Sequence, residues 1–475
     1  MVLFLVLLNT ACQNRHNNKD IKSPNIVFIL ADDLGYGDLS CYGQTHFQTP
    51  NIDKLAENGL KFMQHYAGTT VCAPSRSSLM TGQHTGHTFI RGNKKWNSEG
   101  QYPLAAEAFT VAESLKKAGY VTGAFGKWGL GYPGTEGDPN NQGFDEFFGY
   151  NCQGLAHNYY PYHLWHNSEK IILEGNQDTK TKQYAPDLIH QQALNFLEKN
   201  SKKPFFMFYP TTIPHAELFA PEKYMEKHRG KYEPEKNYKG VDSGKNYRLG
   251  PYGSQTEAHA AFAAMINLLD DQVGEIVNKL KELGVYENTL IIFSSDNGPH
   301  LEGGADPDYF NSNGNFRGYK RDLYEGGIRI PFIASWKGKI AKGTETNHLS
   351  AFWDFLPTAA EIAGVQIPEN IDGISFLPTL LGKSNEQIKH NYLYWEFHEL
   401  GGRKALRKDD WKLVNYNVLN PAETTVELYN IISDPGEENN LADTNPEIVK
   451  ELSELMKSVR TESEAFPFET KIISK

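Results

Sequence analysis

A chain of 475 residues with 39% apolar content is long enough to bury an extensive core, as two domains or as one large domain with an appendage. Its formal net charge of -11 excludes the basic face that a nucleic acid backbone requires. It does not exclude an anionic substrate, which needs only a local cluster of Arg, Lys and His.

The chain begins with an apolar stretch from Met1 to Leu8 that ends at Ala11-Cys12 and gives way to a polar run. This stretch is too short to cross a membrane and reads as an export signal. Ala11-Cys12 is similar to a bacterial lipoprotein cleavage and acylation site. No Lys or Arg precedes the apolar run and Asn9 stands three residues before Cys12, so a simple secretory signal and an uncleaved anchor remain alternatives. Besides Cys12 and Cys72, only Cys41 and Cys152 are available to pair, so the fold does not depend on a disulfide framework.

Residues 25–30, 204–209 and 290–293 are continuous apolar runs, which suit parallel strands buried on both faces. Between the last two, the spacing of Phe262, Met265, Ile266, Leu269, Val273, Ile276, Val277 and Leu280 predicts a helix ending near Leu283-Gly284. Residues 223–253 are polar and rich in Tyr, Lys and Gly, and read as a long surface loop. The alternation implies an open α/β sheet with ligands at the carboxyl ends of its strands. After about Gly382 the pieces shorten. Segments 392–397 and 411–414, with a helix over 446–459, suggest a smaller antiparallel domain. We divide the chain into a leader and linker over 1–22, a catalytic domain over 23–383 and a C-terminal domain over 384–475.

Polar residues gather after the predicted strands. Asp32-Asp33 follows the first and Asp296-Asn297-Gly298 the last, so four oxygen-bearing side chains converge on one sheet edge. Carboxylate and amide oxygens suit a hard cation, calcium or magnesium, rather than zinc. Either pair alone reads as a turn. Thr212-Ile213-Pro214-His215 follows the middle strand, and Lys127 and Lys320 lie in Gly-rich segments. Pro74 suits the first turn of a helix, which sets Cys72 near an N-terminus that attracts anions.

The run from Cys72 to Gly82 carries Cys72, Pro74, Ser75, Arg76, Leu79, Thr81 and Gly82 at the spacing of a cysteine-oxidation motif. Here the chain resembles the formylglycine-dependent sulfatases, and the match runs in order from about Pro24 to Trp411. The resemblance implies an alkaline-phosphatase-like α/β fold, with a large, mostly parallel sheet flanked by helices and a smaller C-terminal α+β domain. It also implies that Cys72 is converted to formylglycine by a formylglycine-generating or anaerobic sulfatase-maturating enzyme. The aldehyde hydrate would attack sulfur and form a covalent sulfo-enzyme intermediate.

By the same resemblance, Asp32, Asp33, Asp296 and Asn297, together with residue 72, hold one calcium, with magnesium as the alternative. Arg76, Lys127 and Lys320 would surround the sulfate, and His215 would protonate the leaving alcohol. One position departs from the pattern, because many relatives have His two residues after the lysine and this chain has Gly129. The expected substrate is a sulfated sugar of a glycan, for example a galactose or N-acetylgalactosamine sulfate, with His157, His300, Glu396, His398 and Arg403 in its pocket. The expected location is the periplasm or the outer membrane, with membrane attachment only through a lipid on Cys12. A phosphoesterase of the wider superfamily and a non-catalytic binder of sulfated glycans remain the alternative readings.

Overall fold

The computed structural model describes residues 23–97 and 99–468, so the apolar leader and Cys12 lie outside the described residues. A ten-stranded sheet forms its centre, in the order Thr344–Thr346, Leu60–Phe62, Phe332–Ser335, Thr289–Ser295, Asn25–Ala31, Phe205–Pro210, Val121–Lys127, Glu146–Tyr150, His163–His166 and Glu169–Ile172. The five strands from Thr289–Ser295 to Glu146–Tyr150 are parallel. Antiparallel pairs flank them, so the sheet is mixed at its edges and parallel at its centre.

Asn25–Ala31 shows why the central strands read as unbroken apolar runs. Val27, Ile29 and Ala31 pack into one core layer with Phe196 and Met265, whereas Ile26, Phe28 and Leu30 pack into the other with Leu79 and Phe355. Burying each such side chain contributes roughly 1.5–3 kcal/mol, which exceeds the ~1–2 kcal/mol cost of ordering its backbone. A strand buried on both faces is thus stable enough to carry costly groups at its carboxyl end. The expected helix spans Ala258–Glu282 and lies against this layer.

Segment 223–253 differs from a surface loop. It opens inside the helix Glu222–His228, Tyr232 and Arg248 are buried, and Tyr238 bridges to Gln255. Tyr224, Met225 and His228 are buried as well, and all five are scattered among polar neighbours, so no periodicity marked them. Cys41 and Cys152 are both free.

The C-terminal sheet comprises Leu393–Phe397, Arg403–Lys408, Trp411–Tyr416 and Thr425–Asn430, all antiparallel. One face takes Leu452 and Met456 of the helix Pro446–Ser458, and the other meets Tyr66, Val71 and Trp353 of the large domain. At that seam Lys412 is fully buried, with Nζ 2.9 Å from Glu325 and 2.9 Å from Glu437. Glu325 also accepts from Tyr66 at 2.6 Å and pairs with Arg329. Lys412→Ala strands two buried carboxyls and should cost about 3–5 kcal/mol in denaturant unfolding. A loss below about 1 kcal/mol would show that the carboxyls take up protons instead.

Candidate active site

Cys72 opens the helix Cys72–Thr81, preceded by extended Val71 and closed by Gly82 at φ 70°. Small side chains let this helix be covered on every side, and all ten of its residues are buried. Ser75 fixes it to the sheet by donating to the Asp296 carbonyl while its oxygen accepts from the Gly68 N–H. The sulfur of Cys72 thus lies at a helix N-terminus over the carboxyl ends of the parallel strands.

Four neighbouring strands bring charged groups to that sulfur. Asn25–Ala31 leads into Asp32 and Asp33, Thr289–Ser295 into Asp296 and Asn297, Val121–Lys127 ends on Lys127, and Phe205–Pro210 leads to His215. The strand before Lys127 can approach its neighbour only without a side chain at Gly126, where a Cβ would stand 1.9 Å from the Pro210 carbonyl oxygen. Asp33 adopts a left-handed φ of 64°, a costly conformation for a non-glycine residue and one that clusters at functional sites. The Asp33 N–H donates to Asp296 at 3.0 Å, which ties the two carboxylate turns together.

The charges are paired in detail. Lys127 Nζ lies 2.7 Å from Asp32 and 3.3 Å from Cys72 Sγ. Lys320 Nζ lies 2.7 Å from Asp33 and 3.1 Å from His215 Nε2. Arg76 forks onto Asp296 at 2.9 and 2.8 Å and donates to the Lys127 carbonyl. Its guanidinium therefore holds Asp296 and the end of a strand.

Burial opposes the charge on Lys127 and on Lys320, yet Asp32 and Asp33 outweigh it and raise both lysines above their ordinary values. Burial pushes the Cys72 thiol well up, more than Lys127 and Lys320 pull it down. Burial, with Lys320 and Lys127, lowers His215 well below its usual range. Its Nδ1 faces the Ala216 carbonyl and so carries the proton, leaving Nε2 to accept from Lys320.

The residues fit a hard cation. Ligand atoms of Asp32, Asp33, Cys72 and His215 lie within 4.8 Å of one another. The Oδ1 of Asn297, beside them in the Asp296 turn, is buried without a hydrogen-bond partner. The two carboxylates of that group and the orphaned amide oxygen are the kind of donors that calcium or magnesium takes, with the Asp296 carboxylate beside them held by the Asp33 N–H and Arg76.

The five expected pocket residues divide. His157 and His300 stack on opposite sides of His215, with ring centroids 5.1 and 5.5 Å away. Arg403 reaches the Arg321 carbonyl and, at 2.7 Å, Asp322, and so braces the turn that carries Lys320. Glu396 lies inside the C-terminal sheet, and His398, partly buried, follows the strand Leu393–Phe397 and pairs with Glu396 through Nε2. Glu396 is fully buried and spends its oxygens on Arg460, Tyr394 and His398, leaving none for a sugar. Burial opposes its ionisation, but His398, Arg460 and Arg91 hold its carboxyl down to about 2. Tyr159 was not anticipated: its hydroxyl meets the Thr212 carbonyl at 2.6 Å and the His215 carbonyl at 2.9 Å, which pins the His215 loop. Its aromatic neighbourhood was visible in the sequence, but not its inward direction.

This architecture and cluster define a hydrolase of esters of strong oxyacids, and comparison narrows the class. The family profile described as Sulfatase matches residues 24–365, and one described as N-sulphoglucosamine sulphohydrolase, C-terminal, matches residues 314–462. The chain is 32% identical to the N-acetylgalactosamine-6-O-sulfatase of Bacteroides thetaiotaomicron, covering 96% of this chain and 97% of that protein. It is also 32% identical to human arylsulfatase A, covering 91% and 87%. The crystal structure of Ps i-CgsB in complex with k-i-k-neocarrahexaose superposes with a TM-score of 0.75 at 29% identity, covering 93% and 94%. The chain belongs to the sulfatase family and is a sulfuric ester hydrolase.

Calcium added to chelator-treated protein should raise its melting temperature, equivalent to about 2.7 kcal/mol at a hundredfold excess over Kd. Asn297→Ala should reduce that increment. An increment that is zero, or that Asn297→Ala leaves intact, would count against the cation site.

Proposed function

We propose that this protein removes sulfate from a sugar of a glycan, using a formylglycine made from Cys72. The observation that carries the reading is the setting of Cys72, buried at a helix N-terminus among three carboxylates and three cations. Because burial keeps its thiol protonated, unmodified Cys72 is a poor nucleophile there. A hydrated aldehyde at residue 72 supplies one hydroxyl to attack sulfur, forming a covalent sulfo-enzyme, and a second whose deprotonation releases sulfate.

The charge count supports this chemistry. Asp32, Asp33 and Asp296 offset Arg76, Lys127 and Lys320, leaving the cluster near neutral. A divalent cation is then matched by one sulfate ester anion and one ionised hydroxyl. Lys127 and Lys320 lie where they can turn from carboxylates to sulfate oxygens and stabilise charge in the transition state. His215 can pass a proton from its Nε2 edge to the leaving oxygen, with Lys320 as the donor behind it. Arg76 keeps Asp296 in place.

The names of the relatives support a galactose-type substrate, since one acts on an N-acetylgalactosamine 6-O-sulfate and another is seen with a neocarrahexaose. We place the protein in the same reading as an exported lipoprotein of the periplasm or outer membrane, on the strength of Ala11-Cys12 after its apolar leader. Its partner is a maturation enzyme for Cys72, which acts before the chain has folded.

Mass spectrometry of the peptide containing Cys72, from the native host, should show formylglycine, and Cys72→Ala should abolish turnover of every sulfate ester. An unmodified thiol in active protein would overturn the mechanism. His215→Ala should slow a sulfated sugar far more than an activated aryl sulfate, whose leaving group needs no proton. Equal losses on both substrates would remove His215 from the acid role.

A further inference from the structure

Gly129 gives the place of its missing side chain to another residue. Its backbone is left-handed, with φ 79°, and a Cβ there would lie 2.2 Å from Nε2 of Gln153 and 3.2 Å from its Cδ. The Gln153 carboxamide packs directly over this bare backbone. It is 8% exposed, and neither its Nε2 nor its Oε1 has a hydrogen-bond partner. Buried amides are ordinarily satisfied, because shedding water without a replacement is costly. No contact within the described residues compensates this one.

The chain path sets Gln153 between two groups of the active site. Tyr150 stands in register with Lys127, and the Gly129 N–H donates to the Asn151 carbonyl at 3.1 Å. Beyond Gln153 comes the turn Leu155–His157, where His157 stacks on His215. The Gln153 main chain is fixed by its N–H, which donates to Gln101 Oε1 at 3.3 Å. An amide held there offers a donor and an acceptor side by side, the pattern of an oxyanion next to a hydroxyl.

We propose that Gln153, given room by Gly129, is a ligand-binding residue of the catalytic pocket. Its Nε2 donates to a sulfate oxygen, and its Oε1 accepts from a neighbouring hydroxyl of the bound ester. This inference rests on the sulfatase reading above, which supplies the ligand. A carboxamide does not titrate near neutral pH, so Gln153 holds the ester and transfers no proton. The position where relatives often carry His is therefore filled from the turn after the adjoining strand by a group that binds without acting as a base.

Gln153→Met keeps the volume and deletes both hydrogen bonds, and Gln153→Glu sets a carboxylate against the anion. With formylglycine confirmed in each protein, inhibition by inorganic sulfate and kcat/KM on an aryl sulfate are measured beside the melting temperature. Gln153→Met should weaken sulfate inhibition and lower kcat/KM by about tenfold, the worth of one hydrogen bond to a charged group, with the melting temperature unchanged or raised. Gln153→Glu should lose more of both. Gly129→Ala should lose stability through its left-handed φ and its clash with Nε2, and adding Gln153→Ala should recover only the part due to the clash, without recovering sulfate affinity. Sulfate inhibition and kcat/KM at the wild-type level in Gln153→Met would overturn the inference alone. A wild-type protein that neither binds sulfate nor hydrolyses any sulfate ester would overturn the proposed function and this inference with it.

Discussion

Each charge in the pocket is tolerable only because its opposite is buried with it. Desolvating an ion costs several kcal/mol, and Asp32, Asp33, Asp296, Arg76, Lys127 and Lys320 are each 8% exposed or less. Pairing repays that cost, so the network of Asp32 with Lys127, Asp33 with Lys320 and Asp296 with Arg76 behaves as one object. The lysines serve twice, first as counterions that let carboxylates enter the interior and then as cations available to an incoming anion.

The fold supplies the rigidity for this arrangement. Four of the parallel strands buried on both faces deliver their polar groups to one place, Asp32 and Asp296 directly after two of them, Lys127 at the end of a third and His215 in the loop after the fourth. Arg76 and Ser75 pin the helix of Cys72 to the turn at Asp296, Tyr159 pins the His215 loop, and Arg403 braces the turn of Lys320 from the C-terminal sheet. The seam at Lys412, Glu325 and Glu437 holds that sheet to the large domain. The smaller domain thus reaches the site through the Lys320 turn.

Legibility followed burial and sequence neighbourhood. Three of the five central strands could be read because covering both faces leaves their middles wholly apolar, and the carboxylate pairs because they directly follow two of them. Val121–Lys127 and Glu146–Tyr150, by contrast, are interrupted by Gly, Thr and charged residues. Edge strands such as His163–His166 and Glu169–Ile172 were not legible, being short and polar. Glu396 looked like a pocket residue because its sequence neighbours are aromatic and charged, whereas its partner Arg460 is 64 residues away. Gln153 carried no signal at all. Its significance depends on a missing Cβ in the segment that follows the strand Val121–Lys127, a relation that only the folded chain displays.

The burial of residue 72 also orders events in time. Its side chain is 2% exposed, and the helix it opens is covered on all faces by parts of the chain that extend beyond residue 350. An enzyme that alters this cysteine must meet it in an extended strand of polypeptide, before those later segments close over it. Lys320, which helps to complete the charge network, emerges from the ribosome almost 250 residues after Cys72. Synthesis thus leaves an interval in which the motif is exposed and the pocket does not yet exist. If residue 72 is converted as proposed, the rate at which the sheet assembles limits how much of the protein is modified, and a faster-folding variant would be better packed yet less active.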